Sequence, residues 1–433
     1  MKTTGTPPLV ARTLPDGGSE AASVLTWRSS LHANSFYLMA ANVANAAFGF
    51  LFWTAAARLY EPREVGLAAA AVSAVGLLGM LATLGLDQAL VRFVPGAADP
   101  RGLVNSSLTL GASVALLLGL GFVAGLGVWS PALLPLREHP LAAAGLVAAA
   151  VGATASGLLH NAFLAWKRAG LGLVQSSVFN VIRIVLVAAF AAPRGAVGLI
   201  GAWALSLAAG VTWGATSGLS RGTGFRYRPA FQRAALNEMT HFAFANYAAT
   251  VLWGAPVFLL PLLVANLAGP VAAAYFYVAT AASGLVAMIP WAVSASLFAH
   301  GSHDEERLVR YALESGRAIL LLLVPAVGLL LLLGDRVLLL FGRTYSAEGT
   351  RLLQLMALST LPLAVNFLFF SMRRVQRRMA PVVASTAWIL AVTLGLSGVL
   401  LPRVGLTGAG VAWLAAQSSV AMVLVARYVL GGR

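Results

Sequence analysis

No cysteine occurs among the 433 residues, which excludes disulfides and thiolate metal sites. Charge is scarce too: 10% of residues are Asp, Glu, Lys or Arg, against about 25% in an ordinary soluble domain, which excludes a water-soluble globular enzyme. Acids are the rarer sign, 14 against 29 Lys+Arg, for a formal net charge of +15. Lysine is nearly missing, with Lys2 and Lys167 alone, a bias that reflects coding composition more than chemistry. No Gly-x-x-x-x-Gly-Lys-Ser/Thr loop is present, so the chain does not hydrolyse ATP itself. What it does have is apolar surface: 59% hydrophobic residues and a mean hydropathy of +0.84. The solvent for most of the chain is lipid.

Residues 1–33 are mixed polar and hold no long apolar run, so no cleavable signal peptide is expected and the first span stays as an anchor. Twelve later stretches are long enough to cross a hydrocarbon core, which takes about 20 helical residues. They run over 34–57, 65–86, 104–127, 141–165, 171–192, 196–219, 240–265, 271–298, 317–334, 350–371, 381–401 and 406–429. All are continuously apolar, without the alternating strands of a transmembrane barrel, so the expected fold is all-α and polytopic. With a cytoplasmic N-terminus, twenty basic residues fall inside and eight outside, leaving Arg183 alone within a span. That is the positive-inside bias. It places both termini in the cytoplasm and accounts for most of the charge with no nucleic acid as partner. The block Arg373, Arg374, Arg377 and Arg378 reads as a positive-inside anchor with affinity for anionic lipid.

The longest cytoplasmic connection, 220–239, divides the spans into six and six. The expected organisation is a polar cytoplasmic tail at 1–33, an N-lobe at 34–219, the inter-lobe loop, and a C-lobe at 240–433. At an offset of 208, Arg58-Leu59-Tyr60-Glu61-Pro62 aligns with Asn266-Leu267-Ala268-Gly269-Pro270, and Leu38, Asn42 and Asn45 align with Asn246, Thr250 and Trp253. Halves with an even number of spans share one orientation, so the repeat is parallel, as in transporters with a cavity between two lobes. No proline interrupts the first six spans, whereas Pro256, Pro261, Pro290, Pro325 and Pro362 interrupt the second six, so more flexing is expected of the C-lobe.

Two short motifs follow the first two spans: Ala57-Arg58-Leu59-Tyr60-Glu61-Pro62-Arg63-Glu64-Val65-Gly66, and Leu84-Gly85-Leu86-Asp87-Gln88-Ala89-Leu90-Val91-Arg92-Phe93-Val94-Pro95. On these, the segment from Ser35 to about Gly102 resembles the polysaccharide (oligosaccharide) flippase family, of the lipid-linked O-antigen type, in the multidrug/oligosaccharidyl-lipid/polysaccharide exporter superfamily. The resemblance implies about twelve helices in two six-helix lobes around a central cavity, and no cofactor. It also implies translocation of lipid-linked oligosaccharide or polysaccharide precursors from the cytoplasmic to the outer leaflet of a bacterial plasma membrane by alternating access. The implied partners are polyprenyl diphosphate-linked sugars, anionic lipids and other polysaccharide-assembly membrane proteins.

Among individual residues Arg183 is the most informative. Ser176, Asn180 and Arg183 stand at i, i+4 and i+7, one polar stripe on an apolar helix. An Arg at a helix centre costs roughly 2.5 to 3.5 kcal/mol on insertion scales, so it should face a cavity or a partner. No acidic residue lies near the middle of any span. A guanidinium without a carboxylate suits an anionic ligand such as a diphosphate or an acidic sugar; the bland alternative is a cation satisfied by water and carbonyls. Asn42, Asn45, Asn246 and Thr250 either hydrogen-bond sugar hydroxyls or join helices. Trp53, Trp253, Tyr37 and Tyr247 are stacking candidates or interfacial aromatics, and His160 and His241 are cavity or core histidines. Arg92 and Arg58 lie at opposite membrane faces, where a lipid diphosphate would enter and leave, or simply snorkel there.

Two rival classes stay open. A cation-coupled multidrug or metabolite antiporter of the same superfamily would need an embedded carboxylate or a site of neutral oxygens, and Asp87 is the candidate. A polytopic enzyme of cell-envelope polysaccharide assembly would need grouped acids, bases or nucleophiles on an outer loop; the connections near Ser130–Pro140 and Asp335–Gly349 offer only scattered charges, so no enzyme is expected.

Overall fold

The computed structural model describes residues 42–191, 195–301 and 307–431, with the side chains of 221–222, 245–246, 299–300 and 428–431 left aside. The described chain is helical, with no strand. Twelve long helices follow one another: α1 (42–59), α2 (Pro62–Ala82), α3 (Pro100–Ala124), α4 (Pro140–Ala165), α5 (Ala169–Ala189), α6 (Gly195–Trp213), α7 (Arg233–Ala268), α8 (Pro270–Gly301), α9 (Leu308–Leu339), α10 (Arg343–Val375), α11 (Ala380–Val404) and α12 (Leu406–Gly431). From α2 onward all eleven are long and apolar enough to cross a membrane, and the chain is a multi-pass membrane protein. Helices α1–α6 and α7–α12 form two lobes around a central cavity.

Hydropathy marks the middles of these helices better than their ends. Helix α7 starts at Arg233, α9 runs over Leu308–Leu339 and α10 over Arg343–Val375, each beyond the apolar core seen in the sequence. A helix satisfies its own backbone, so it continues past the apolar stretch into polar residues. Prolines have different places in the two lobes. Pro62, Pro100 and Pro140 open α2, α3 and α4, where a missing N–H is harmless. In the second lobe Pro256, Pro261, Pro290, Pro325, Pro362 and Pro402 all sit inside helices. Pro62 and Pro270 begin α2 and α8, and Pro100 and Leu308 begin α3 and α9, both pairs at the offset of the internal repeat.

Both sequence motifs turn out to shape the junction between lobes. The Glu64 side chain accepts the Glu61 N–H at 3.2 Å at the start of α2, and the Tyr60 hydroxyl donates to the Val187 carbonyl at the end of α5 (2.9 Å). In the second motif Gly85 takes a left-handed φ of 77° and separates α2 from an amphipathic helix, Leu86–Phe93, with Leu86, Ala89 and Leu90 buried. A side chain at Gly85 would also press on Ala243 of α7.

Helix α2 packs on both α7 and α8 and is the most enclosed of the spans. Its run Val65–Ala71 is buried throughout, because residues this small let backbones approach from every side. Gly66 is the tightest point: a Cβ there would overlap the carbonyl oxygen of Pro270 at the start of α8. Gly66→Val should therefore lower the thermal midpoint of the purified protein, since overpacking costs about 1–3 kcal/mol. Gly398→Ala, in open space on α11, should leave it unchanged.

Candidate substrate cavity

A cavity of about 680 Å³ opens between α1, α4, α5 and α6 of the first lobe and α8 of the second. Ser176, Asn180 and Arg183 all line it, so the polar stripe of α5 faces inward, joined by Asn42 and Asn45 of α1. Gly49 and Gly157 also line it, and no atom lies within 4 Å of where their Cβ atoms would be, so part of the space is made by missing side chains.

Arg183 is 4% exposed. Its Nη2 donates to Asn180 Oδ1 at 2.7 Å, one helical turn back, and Asn180 Nδ2 donates to Asn45 Oδ1 at 2.6 Å on α1. Three rings surround the guanidinium: its carbon lies 4.6 Å from the ring centre of Phe52, 4.7 Å from Phe179 and 4.7 Å from Trp203. Each such contact contributes roughly 0.5 to 2 kcal/mol. Together they match the insertion penalty of the charge. Nε has no hydrogen-bond partner among the described residues, and no carboxylate there pairs with Arg183. All the groups that solvate this cation are neutral, so its positive field remains available.

Trp53 completes the aromatic end of the cavity, 4.4 Å from Tyr277 of α8 and 6.3 Å from Trp203 between ring centres. Of the other aromatic candidates, Trp253 packs instead on Phe367 and Phe370 in the second lobe, Tyr247 donates to the Leu81 carbonyl at 2.8 Å, and Tyr37 lies outside the described residues. His160 lines the cavity, whereas His241 is exposed near the start of α7.

The remaining polar candidates are not brought to this cavity. Thr250 accepts from Gln88 Nε2 at 2.9 Å, at the contact between the Leu86–Phe93 helix and α7. The Asn246 side chain lies outside the described residues. Arg58 donates from Nε to the Leu340 carbonyl and from Nη2 to the Leu339 carbonyl, both at 2.8 Å, and so caps the end of α9 across the lobe boundary. Arg92 stacks on Phe242 of α7, 4.1 Å from the ring centre. These two arginines tie the lobes at opposite faces. On the Arg58 face Asn266 adds a clasp, its Oδ1 accepting from Ser130 Oγ and the Ala132 N–H, each at 3.1 Å. On the Arg92 face Asp87 is half-buried, and desolvation raises its pKa above the ordinary aspartate value.

Sequence reasoning missed Gln175, buried on α5 with Nε2 donating to Ser156 Oγ (3.3 Å), and the cage of Phe52, Phe179 and Trp203. Phe179 stands four residues before Arg183, a spacing that put both on one face; Phe52 and Trp203 belong to other helices and had no local signal. Spin labels placed on the two lobes at the Arg58 face should give a broader distance distribution in Arg58→Ala than in the parent. An unchanged distribution would make the carbonyl contacts incidental.

The family model described as "Polysaccharide biosynthesis protein" matches residues 31–298. No curated protein matches the chain. Among solved structures, it is similar to the lipid II flippase MurJ in an inward closed conformation, at 11% identity over 90% of this chain and 86% of that one, with a TM-score of 0.73. A multidrug resistance MATE family transporter of the MOP superfamily, inward-facing, is 14% identical over 88% of this chain and 92% of its own, with a TM-score of 0.66. At these identities the likeness is one of fold.

Proposed function

The chain belongs to the polysaccharide biosynthesis protein family, and from that premise we propose that it is a flippase, not an enzyme, which moves a lipid-linked oligosaccharide or polysaccharide precursor from the cytoplasmic to the outer leaflet. Arg183 carries the reading. It is a buried guanidinium in a cavity between two lobes, solvated among the described residues by neutral groups alone, with Nε unpartnered there. Such a group receives a diphosphate or an acidic sugar through charge-assisted hydrogen bonds. Asn42, Asn45 and Asn180 stand beside it to meet sugar hydroxyls.

The lobes correspond to 34–219 and 240–433, joined by a cytoplasmic connection at 220–239 whose last residues, from Arg233, already belong to α7, and preceded by a cytoplasmic tail at 1–33. Both termini face the cytoplasm of a bacterial plasma membrane, in keeping with the positive-inside bias. Arg58 and Arg92 act as ties that alternately hold the outer and the cytoplasmic faces, a change from direct contact with the diphosphate. An inside-negative potential assists an anionic head group moving outward by about 2.3 kcal/mol per charge per 100 mV. Arg373, Arg374, Arg377 and Arg378 attract anionic lipid at the cytoplasmic surface, and other membrane proteins of polysaccharide assembly are the expected neighbours.

The test is flipping of fluorescent polyprenyl diphosphate sugars in proteoliposomes. Arg183→Ala should slow it at least about tenfold, the equivalent of one charge-assisted hydrogen bond, and Arg183→Lys should recover part of the rate by restoring the charge without the fork. Undiminished flipping by Arg183→Ala would remove the anion site. No flipping by the parent, with proton-driven efflux of a cationic dye that is lost in Asp87→Asn, would favour the antiporter instead.

A further inference from the structure

A second cavity, of about 490 Å³, lies across α8 from the first, between α2, α7, α10 and α12. Tyr277, Ala281, Gly284 and Met288 line both. They stand at i, i+4, i+7 and i+11, a single stripe, so the two spaces meet along one edge of α8. At Gly284 that edge is open, with no atom within 4 Å of a would-be Cβ.

The two spaces differ in chemistry. Trp253, Phe258, Met356, Leu363, Phe367 and Trp413 face the second, and no charged residue lines it among those described. Its serine and threonine hydroxyls are each turned back on their own helix. Ser73 donates to the Ala69 carbonyl, Thr280 to Tyr277, Ser283 to Thr280, Ser359 to Met356 and Thr360 to Ala357, at 2.6 to 3.0 Å. With those protons used internally, the wall offers little to a polar ligand and a mainly apolar surface to a hydrocarbon.

We propose that the second cavity holds the first isoprene units of the polyprenyl chain whose diphosphate sits at Arg183. This rests on the flippase reading. A diphosphate bound at Arg183 is inside the bundle, and the chain bonded to it cannot lie wholly in the bilayer: its proximal units must cross protein or water. The apolar space beside α8 receives them. Tyr277, which lines both spaces and stacks on Trp53 beside the arginine cage, marks where head and chain part.

The experiment uses the full chain in nanodiscs with two probes: geranylgeranyl diphosphate bearing a diazirine at the far end of its chain, and dimethylallyl diphosphate as a head group almost without chain. Photolabelling should fall on α7, α10 and α12 at residues such as Trp253, Met356 and Phe367. Ala287→Trp and Thr360→Phe, each filling the second cavity without touching the first, should reduce that labelling about fivefold or more. Binding of dimethylallyl diphosphate should be unchanged in both, which also reports that they fold, and lost in Arg183→Gln. Labelling confined to lipid-facing residues, or undiminished by either filling variant, overturns the chain site alone. Dimethylallyl diphosphate binding that does not depend on Arg183 overturns the head-group site, and this proposal with it.

Discussion

A guanidinium inside an apolar bundle must be solvated by something, and the choice of solvent decides what the bundle can do. A carboxylate would satisfy Arg183 and cancel it. Here, among the described residues, three aromatic faces and one amide oxygen surround it and leave its charge in place. This requires three helices in register, since Phe52 comes from α1, Phe179 and Asn180 from α5 and Trp203 from α6, with Asn45 of α1 fixing the amide. The first lobe is thus assembled around a cation that it does not neutralise.

The second dependence is on close approach between the lobes. Small residues along α2, with Gly66 against Pro270 at one end and Gly85 against α7 at the other, allow two large helical bodies to meet on a narrow seam. Each face adds a contact made by a single long side chain: a guanidinium on carbonyls at one, a guanidinium on a ring at the other. Contacts of this kind can be broken one face at a time. Among the described residues, interrupting prolines fall only in the second lobe, and bending there would let that lobe rock against a straighter first one.

The parts of this account that are legible in the sequence are those with a local period or a fixed offset. Hydropathy locates the spans, and the i, i+4, i+7 stripe puts Ser176, Asn180 and Arg183 on one face, where the cavity is found. The repeat offset brings Pro62 and Pro270 to equivalent helix starts. What sequence does not carry is adjacency between helices. Aligning Thr250 with Asn42 suggested a second polar wall, but α7 turns Thr250 toward Gln88 at the lobe contact. Arg58 and Arg92 read as either diphosphate contacts or snorkelling anchors, because charge at a span end has no visible partner in one dimension; their partners, the end of α9 and Phe242, lie 281 and 150 positions further on. The short helix Leu86–Phe93 was hidden for another reason, since eight residues after a left-handed glycine look like a loop to any window sized for a membrane span.

The central claim is that Arg183 holds its charge open for a phosphate, and it can be measured as a distance. In solid-state NMR of the protein in bilayers, with arginine labelled at the guanidinium carbon and a polyprenyl diphosphate bound, dipolar recoupling to phosphorus should report a separation of about 4 Å, the reach of a guanidinium–phosphate hydrogen bond. That signal should vanish in Arg183→Gln. A bound diphosphate whose dephasing is absent, or survives the substitution unchanged, would contradict the account.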